Sequence, residues 1–205
     1  MAFGNGGVYR FWQVAKLSAL ARGLWSGLFN LKNFIQNGTT SQTLTLTGTA
    51  IVNMTSCTFN GSLNVNSPGF LIKNCTFNGV TTLTKTGTTN LHCYGGNTFN
   101  ATTTIANNNA SGRIRLATTT GDTYLGTVEF EGTIIQVAYE GMNDFYGNIA
   151  HNGNVASDVV FDAGGGTCRL RGSSNQELTG NNHRYRKLIV AQGFSSSRDI
   201  VFGVK

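Results

Sequence analysis

Apolar and polar residues alternate along most of this chain, and the alternation restarts at a regular interval. Leu63-Asn64-Val65 is the simplest example, with two apolar residues flanking a polar one. Similar segments return at residues 81–83, 103–105, 128–130 and 149–151. Period-2 alternation with one apolar side predicts a half-buried β-strand. We therefore expect short strands whose apolar residues face an interior: Leu63, Val65, Leu83, Ile105, Val128, Phe130 and Ile149.

A short motif precedes each of these strands and recurs with them. Cys57-Thr58-Phe59-Asn60-Gly61 returns 18 residues later as Cys75-Thr76-Phe77-Asn78-Gly79, and looser copies place aromatic residues at Phe99, Tyr124 and Phe145. A repeat period of about 20 residues is typical of a solenoid, in which each repeat packs on its neighbours. We predict that residues 39–205 form a parallel β-helix of about seven or eight turns. Like residues would stack inside it, with Cys57, Cys75 and Cys93 in one ladder and Phe59, Phe77 and Phe99 in another.

Three of the four cysteines share the repeat spacing, which bears on their chemistry. A zinc site needs more closely spaced ligands and histidine partners, and of the three only Cys93 has an adjacent histidine, His92. We predict that these cysteines are buried free thiols that act as small apolar residues. A disulfide between adjacent turns remains the alternative, since neighbouring strands lie about 4.8 Å apart.

The segment before the repeats has a different period. Apolar residues recur every three or four positions between Val14 and Ile35, which predicts an amphipathic α-helix within an N-terminal region of residues 1–38. Small residues recur every fourth position from Ala15 to Gly27, so another backbone could approach this side closely. The helix would either cap the first turn or mediate self-association. For self-association the predicted residues are Val14, Leu17, Ala19, Gly23, Leu24, Trp25, Gly27, Leu28 and Phe29.

The same segment lacks the features of a signal peptide and of a transmembrane helix. Lys16 and Arg22 interrupt it, and it lacks the uninterrupted apolar run of a signal peptide. It is also too polar for a transmembrane span. We predict no recognisable signal peptide in this chain and no membrane contact.

Charge adds little to this picture. The formal net charge is +6, but only Arg184, Arg186 and Lys187 form a cluster. Nucleic-acid binding would require a stripe of basic residues with interleaved aromatics, so we predict no nucleic-acid partner. The nine acidic residues offer one pair on a common strand face, Glu129 and Glu131. An exposed pair of this kind is commonly just solvated, so we predict no catalytic residues, no metal site and no cofactor.

The later repeats resemble those of a known group of proteins. Gly96-Asn97-Thr98-Phe99-Asn100 and Gly121-Asp122-Thr123-Tyr124-Leu125, each followed by an alternating segment, are similar to repeats in large secreted surface proteins of gliding bacteria. The segment from Gly172 to Gly180, with Tyr185 to Val190 after it, resembles another of their units. The resemblance covers roughly residues 57–192. It implies a right-handed β-helix with an adhesive or structural role.

Together these patterns lead to one functional expectation and one alternative. The chain is expected to be a non-enzymatic, self-associating β-solenoid in an extracellular or cell-surface filament or adhesin, with itself and surface glycans as partners. The alternative is a carbohydrate-binding or polysaccharide-degrading β-helix of the phage tail-fibre or lyase kind, because many β-helices act on polysaccharides. Carboxylate pairs of the sort that such hydrolysis requires are scarce in this sequence.

Overall fold

A computed structural model describes residues 10–11, 24–25, 28–152, 159–161, 164–180, 183–185, 187–190 and 200–203. Within them the protein is all-β, and its strands stack in parallel as a β-solenoid of about seven turns. Each turn pairs with the next through parallel strands, in which corresponding residues of successive repeats lie opposite each other. The predicted parallel β-solenoid is therefore confirmed.

The first side of the solenoid is a nine-stranded sheet, which we call the aromatic sheet because most of its strands carry the recurring aromatic residue. Its neighbouring strands come from successive turns. The strands are two to four residues long: β1 (Arg10–Phe11), β4 (Ile35–Gln36), β8 (Thr58–Phe59), β11 (Thr76–Phe77), β14 (Thr98–Phe99), β17 (Thr123–Tyr124), β20 (Met142–Phe145), β23 (Thr167–Leu170) and β26 (Leu188–Val190).

The second side is an eight-stranded sheet with longer strands, which we call the long sheet. Inward and outward residues alternate along most of these strands, as the sequence pattern predicts. The strands are β5 (Gln42–Thr45), β9 (Leu63–Ser67), β12 (Thr81–Lys85), β15 (Thr103–Asn107), β18 (Val128–Gly132), β21 (Ile149–Asn152), β24 (Gln176–Gly180) and β27 (Ile200–Gly203).

The third side consists of two sheets in sequence, which we call together the split side. A three-stranded sheet contains β3 (Leu28–Lys32), β7 (Ile51–Thr55) and β10 (Gly69–Lys73). A five-stranded sheet follows, with β13 (Leu91–His92), β16 (Ile114–Arg115), β19 (Ile135–Val137), β22 (Val159–Phe161) and β25 (His183–Tyr185). A single parallel bridge between Lys73 and Gly95 lies where they meet. A separate pair is formed by β2 (Leu24–Trp25) and β6 (Thr47–Gly48).

The core runs along the solenoid between the three sides. The side chains predicted to face inward are at most 2% exposed: Leu63, Val65, Leu83, Ile105, Val128, Phe130 and Ile149. Burying an aliphatic or aromatic side chain of this size stabilises the folded state by about 1.5–3 kcal/mol. The same core continues through apolar residues of the other two sides, such as Phe70 and Ile72.

The recurring motif is explained by what each of its residues contacts. The aromatic residue is inward, and the asparagine after it lies on the outer surface, where Asn78 Nδ2 donates to Asn60 Oδ1 at 2.7 Å. Asn100 extends this external row by donating to Asn78 Oδ1 at 2.5 Å. The glycine permits close approach of adjacent turns, since a Cβ at Gly79 would lie 2.4 Å from the carbonyl carbon of Gly61. The motif thus places stacked aromatic residues on the inner face of the sheet and a row of hydrogen-bonded asparagines on its outer face.

A single left-handed residue turns the chain from the split side into the aromatic sheet. Asn33, Ser56 and Asn74 have φ of 54°, 53° and 53°, and the N–H of each donates to a carbonyl of the next turn. Asparagine tolerates this conformation because its short polar side chain can hydrogen-bond locally. The later corners place Ala117 and Ala138 at φ 53° and 52°.

The predicted N-terminal helix is wrong over residues 28–36. There the chain forms β3, a turn at Asn33, and β4, and β3 pairs with β7 over five residues. Pairing with the next turn satisfies the backbone and buries Phe29 and Phe34, and such tertiary gains override weak local propensity. The solenoid therefore includes residues that the predicted boundary at residue 38 excluded. The remainder of the predicted helix, apart from strand β2, lies outside the described residues.

Candidate functional site

The ends of the sheets are the first candidate for a functional surface. Among the described strands, β26 has a neighbour on one side only, β23, and its Ile189 and Val190 are 36% and 55% exposed. At the other end, β3 pairs with β7 alone in the described region, and Leu28 is 56% exposed. An edge strand presents unpaired main-chain donors and acceptors, which makes it a template for another strand. Within the part of the chain that the structure describes, both ends therefore combine an edge strand with exposed apolar side chains.

The structure separates the residues predicted for self-association. Phe29 belongs to the core, whereas Leu28, on the same strand, faces outward. Leu24 and Trp25 form β2, which pairs with β6. The other predicted residues lie outside the described part of the chain: Val14, Leu17, Ala19, Gly23 and Gly27.

The aromatic residues of the motif form one continuous stack inside the solenoid. Phe59, Phe77 and Phe99 lie parallel, with centroid distances of 5.5 and 4.8 Å. Tyr124 and Phe145 extend the stack, each at 4.9 Å from its predecessor. Parallel rings at this spacing contribute about 0.5–1.5 kcal/mol per pair beyond the area that they bury. The stack therefore links successive turns along the inner face of the aromatic sheet.

The three cysteines do not form one row, which corrects the predicted ladder. The register places Thr76 between Thr58 and Thr98, so Cys75 lies between Cys57 and Asn97. Cys93 is buried elsewhere, with its Sγ donating to the Phe70 carbonyl at 3.6 Å. The cause is a longer third repeat, because four extra residues shift Cys93 out of register. All four cysteines are buried thiols outside any disulfide, and burial raises the pKa of Cys93 to about 12.

A buried polar row continues the position that Cys57 and Cys75 begin. Each side-chain oxygen accepts the main-chain N–H of the residue one turn earlier: Asn97 Oδ1 from Cys75, Asp122 Oδ1 from Asn97, and Asn143 Oδ1 from Asp122, at 3.0, 3.0 and 2.7 Å. Cys168 follows Asn143 in the register. This inner polar row was missed by the sequence reasoning. Its signal was present, since an amide or carboxyl residue stands where cysteine precedes the first two motifs.

Asp122 is the ionisable member of the inner polar row. It is 1% exposed, and burial raises its pKa to about 7, against the lowering effect of two hydrogen bonds from Asn97. Its Oδ2 has no hydrogen-bond partner among the protein atoms described. Cys93 and Tyr124 lie near enough for their pKa values to be raised further by the Asp122 charge. A carboxyl group therefore changes protonation in the core near neutral pH.

Glu129 and Glu131, the acidic pair predicted on one strand face, do not face each other across a gap. Glu129 and Glu131 share the outer face of β18, and burial, followed by the Glu129 charge, raises the pKa of Glu131. Their neighbours across the sheet are uncharged: Thr104 and Ala106 on one side, Ala150 and Asn152 on the other. Carboxylates that hydrolyse glycosides lie on either side of the scissile bond, an arrangement that this surface does not supply.

Asp144 is held by arginine. Arg169 Nε donates to Asp144 Oδ1 at 2.5 Å, and Arg171 Nη1 lies 3.6 Å from Oδ2. Asp158 and Asp162 fall outside the described residues. Across the described ranges, three or more His, Cys, Asp or Glu side chains nowhere gather closely enough to hold a metal ion. The same ranges hold no helix with the length and apolar character needed to cross a membrane.

Comparison with known proteins adds no relative to this picture. No protein-family model, no curated protein and no solved structure matches the chain.

Proposed function

We propose that this protein is a non-enzymatic structural building block that associates with copies of itself through the ends of its solenoid. The observation that carries the proposal is β26, which among the described strands is the last of the aromatic sheet and leaves Ile189 and Val190 exposed. A strand from a second copy can add to this edge and continue the sheet. Because the two ends differ, such a contact is head to tail and leads to filaments unless it closes into a ring.

The interior supports a structural role. Aromatic, aliphatic and polar residues fill the solenoid in continuous rows, so a single packed core runs along its length. We propose the right-handed sense of winding for it, since about 98% of crossovers between parallel strands of one sheet are right-handed. A rigid rod with extensible ends suits an extracellular or cell-surface filament or adhesin.

The absence of enzymatic activity is part of the proposal. Glu129 and Glu131 are flanked by uncharged residues, and Asp144 is neutralised by Arg169. A hydrolytic mechanism would need one carboxyl group to act as acid while another faces it as base or nucleophile. The described surface supports binding and stacking better than such chemistry.

The edge-strand proposal is tested with one charge on β26. Val190→Lys places a charged side chain on the exposed edge, which is how natural edge strands avoid pairing. Val80→Lys is the matched control, because Val80 is 51% exposed but lies before β12 in the middle of the solenoid. We expect sedimentation velocity to show concentration-dependent association of the wild-type protein, weakened at least tenfold by Val190→Lys and unchanged by Val80→Lys. A wild-type protein that stays monomeric at high concentration, or equal effects of both variants, contradicts the proposal.

A further inference from the structure

A second exposed surface lies on the split side, where its two sheets meet. It contains Lys73, His92, Tyr94, Arg115 and Tyr139, which we call the cationic tyrosine patch. Lys73 Nζ lies 5.1 Å from the centre of the Tyr94 ring, and the Arg115 guanidinium carbon lies 4.5 Å from the centre of the Tyr139 ring. Tyr94 is 50% exposed. Two cation–tyrosine pairs are thus presented on neighbouring turns.

Sheet register, together with the contacts of Arg115, brings the two pairs onto one surface. His92 lies opposite Arg115 in the sheet, and Gln136 lies on the other side of Arg115. Arg115 Nη1 donates to His92 Nε2 at 3.1 Å, while Nε donates to Gln136 Oε1 at 2.8 Å. Tyr94 stands two residues after His92 and so projects from the same face. The patch therefore crosses successive turns, whose strands are about 4.8 Å apart.

The charge of the patch is not neutralised by the described residues. Both ion pairs found among them use Asp144, which lies on the aromatic sheet. Glu129 and Glu131 lie on the long sheet, and Glu140, beside Tyr139 in the chain, forms no ion pair with Lys73 or Arg115. Lys73 and Arg115 therefore carry positive charges that attract an anionic ligand.

The guanidinium group of Arg115 is held ready for a ligand. The Tyr139 ring, His92 and Gln136 fix its plane, and its Nη2 makes no hydrogen bond with the described residues. Arginine binds carboxylates through parallel N–H···O bonds, and a group that is already fixed loses little conformational entropy when it binds. The side chains around it offer further polar atoms for hydroxyl groups, and the tyrosine rings offer apolar area.

We propose that the cationic tyrosine patch binds an acidic polysaccharide whose sugars carry carboxylate groups, as uronic acids do. A sugar ring has apolar C–H faces that pack on tyrosine, hydroxyl groups that bind polar side chains, and in this class a carboxylate for Arg115 or Lys73. A polymer of several sugar units can also span a patch that crosses successive turns. Nucleic acid fits less well, because its phosphates require a longer track of basic residues. The proposal needs only a single solenoid and is independent of self-association.

The test measures binding of the full chain to polygalacturonate by isothermal titration calorimetry at about 0.15 M salt. Its methyl ester, which lacks the charge, and single-stranded DNA are the comparison ligands. We expect polygalacturonate to bind, and the ester and DNA to bind at least tenfold more weakly. No binding of polygalacturonate, or equal binding of DNA, overturns the proposal.

Variants locate the site. Tyr94→Ala and Arg115→Ala should each weaken binding at least tenfold, and Arg115→Lys, which keeps the charge but loses the planar fork, should weaken it less than Arg115→Ala. Arg171→Ala is the matched control, because Arg171 also lies over a tyrosine, Tyr146 at 6.0 Å, but beside the Asp144 carboxylate. We expect this control to bind like the wild-type protein. Tyr94 is half exposed, so unchanged affinity in a folded Tyr94→Ala protein overturns the assignment.

Discussion

Asp122 shows how much one residue can change in the core of this protein. It occupies a position that cysteine or asparagine fills in the neighbouring turns, and it keeps their hydrogen-bond pattern. Unlike cysteine or asparagine, Asp122 carries a carboxyl group, and this group would have to ionise in the buried core. Burial therefore opposes ionisation of Asp122, and the folded state binds the proton more tightly than the unfolded chain does.

This protonation predicts a dependence of stability on pH. The pKa of Asp122 rises from an ordinary 3.8 to about 7 on folding, so its contribution to stability is complete below pH 3.8. Between these two values the unfolded chain binds fewer protons than the folded one, so the contribution is lost progressively as the pH rises to about 7, and it stays lost above. We expect Asp122→Asn to match the wild type at pH 4 and to unfold at higher urea concentration at pH 8. Circular dichroism at both pH values measures the difference.

The control for this prediction is Glu177→Gln, which removes an exposed carboxylate on β24. It should follow the wild type at both pH values. Cys93 and Tyr124 remain neutral in this range, since burial raises the pKa of each well above it. A gap between Asp122→Asn and the wild type that does not change between pH 4 and pH 8 contradicts the assignment.

At the scale of the elements, the distance between turns is set by positions where backbone meets backbone. Gly121 precedes β17, and a Cβ built on it would lie 1.6 Å from the Met142 carbonyl oxygen. The Gly121 carbonyl also accepts the N–H of Gly96 at 3.1 Å. The backbones of the two neighbouring turns therefore both approach Gly121 closely, and they leave no room for a side chain at this position.

Substitution of this glycine should separate the turns. We expect Gly121→Ala to lower the free energy of unfolding by at least about 2 kcal/mol, because the backbone must move to admit the methyl group. Gly38→Ala is the matched control, since a Cβ there meets no atom within 4 Å, and its effect should stay within about 0.5 kcal/mol. Urea unfolding measures both variants. Equal effects would mean that the approach at Gly121 is not tight.

At the scale of the whole molecule, contacts run mainly between adjacent turns, so stability is close to one-dimensional. The ends have fewer neighbours than the middle and should open first. The charges are also divided among the sides, with Glu129 and Glu131 on the long sheet and the cationic tyrosine patch on the split side. The proposed assembly at the ends and the proposed binding at the side would therefore use separate surfaces.

The buried thiols report this order of opening. Cys93 lies in the middle of the solenoid, whereas Cys168 lies one strand from the end of the aromatic sheet, and both are fully buried. We expect an alkylating reagent to label Cys168 at least tenfold faster than Cys93 in the native protein, because end turns open without global unfolding. Mass spectrometry of the digested protein measures each rate. Labelling in guanidinium should remove the difference, and equal native rates would indicate one cooperative unit.

The local pattern of this sequence determines its strands and their inward faces. Alternation at Leu63 and Val65 needs only that one side of a strand is buried, so it can be read without knowing the neighbours. The stack of Phe59 on Phe77 follows in the same way, because two repeats of equal length bring like residues together. Each of these features depends on short-range spacing alone.

Tertiary structure decided everything that depends on register between turns. Cys93 left the predicted row because a longer repeat placed Asn97 there. Residues 28–32 and 35–36 became strands because β7 and β8 were available for pairing. The cationic tyrosine patch joins Lys73 to Tyr139, which no spacing in the sequence connects. Loop lengths set which residues become neighbours across turns, and the resulting gain in packing and hydrogen bonding exceeds local preference.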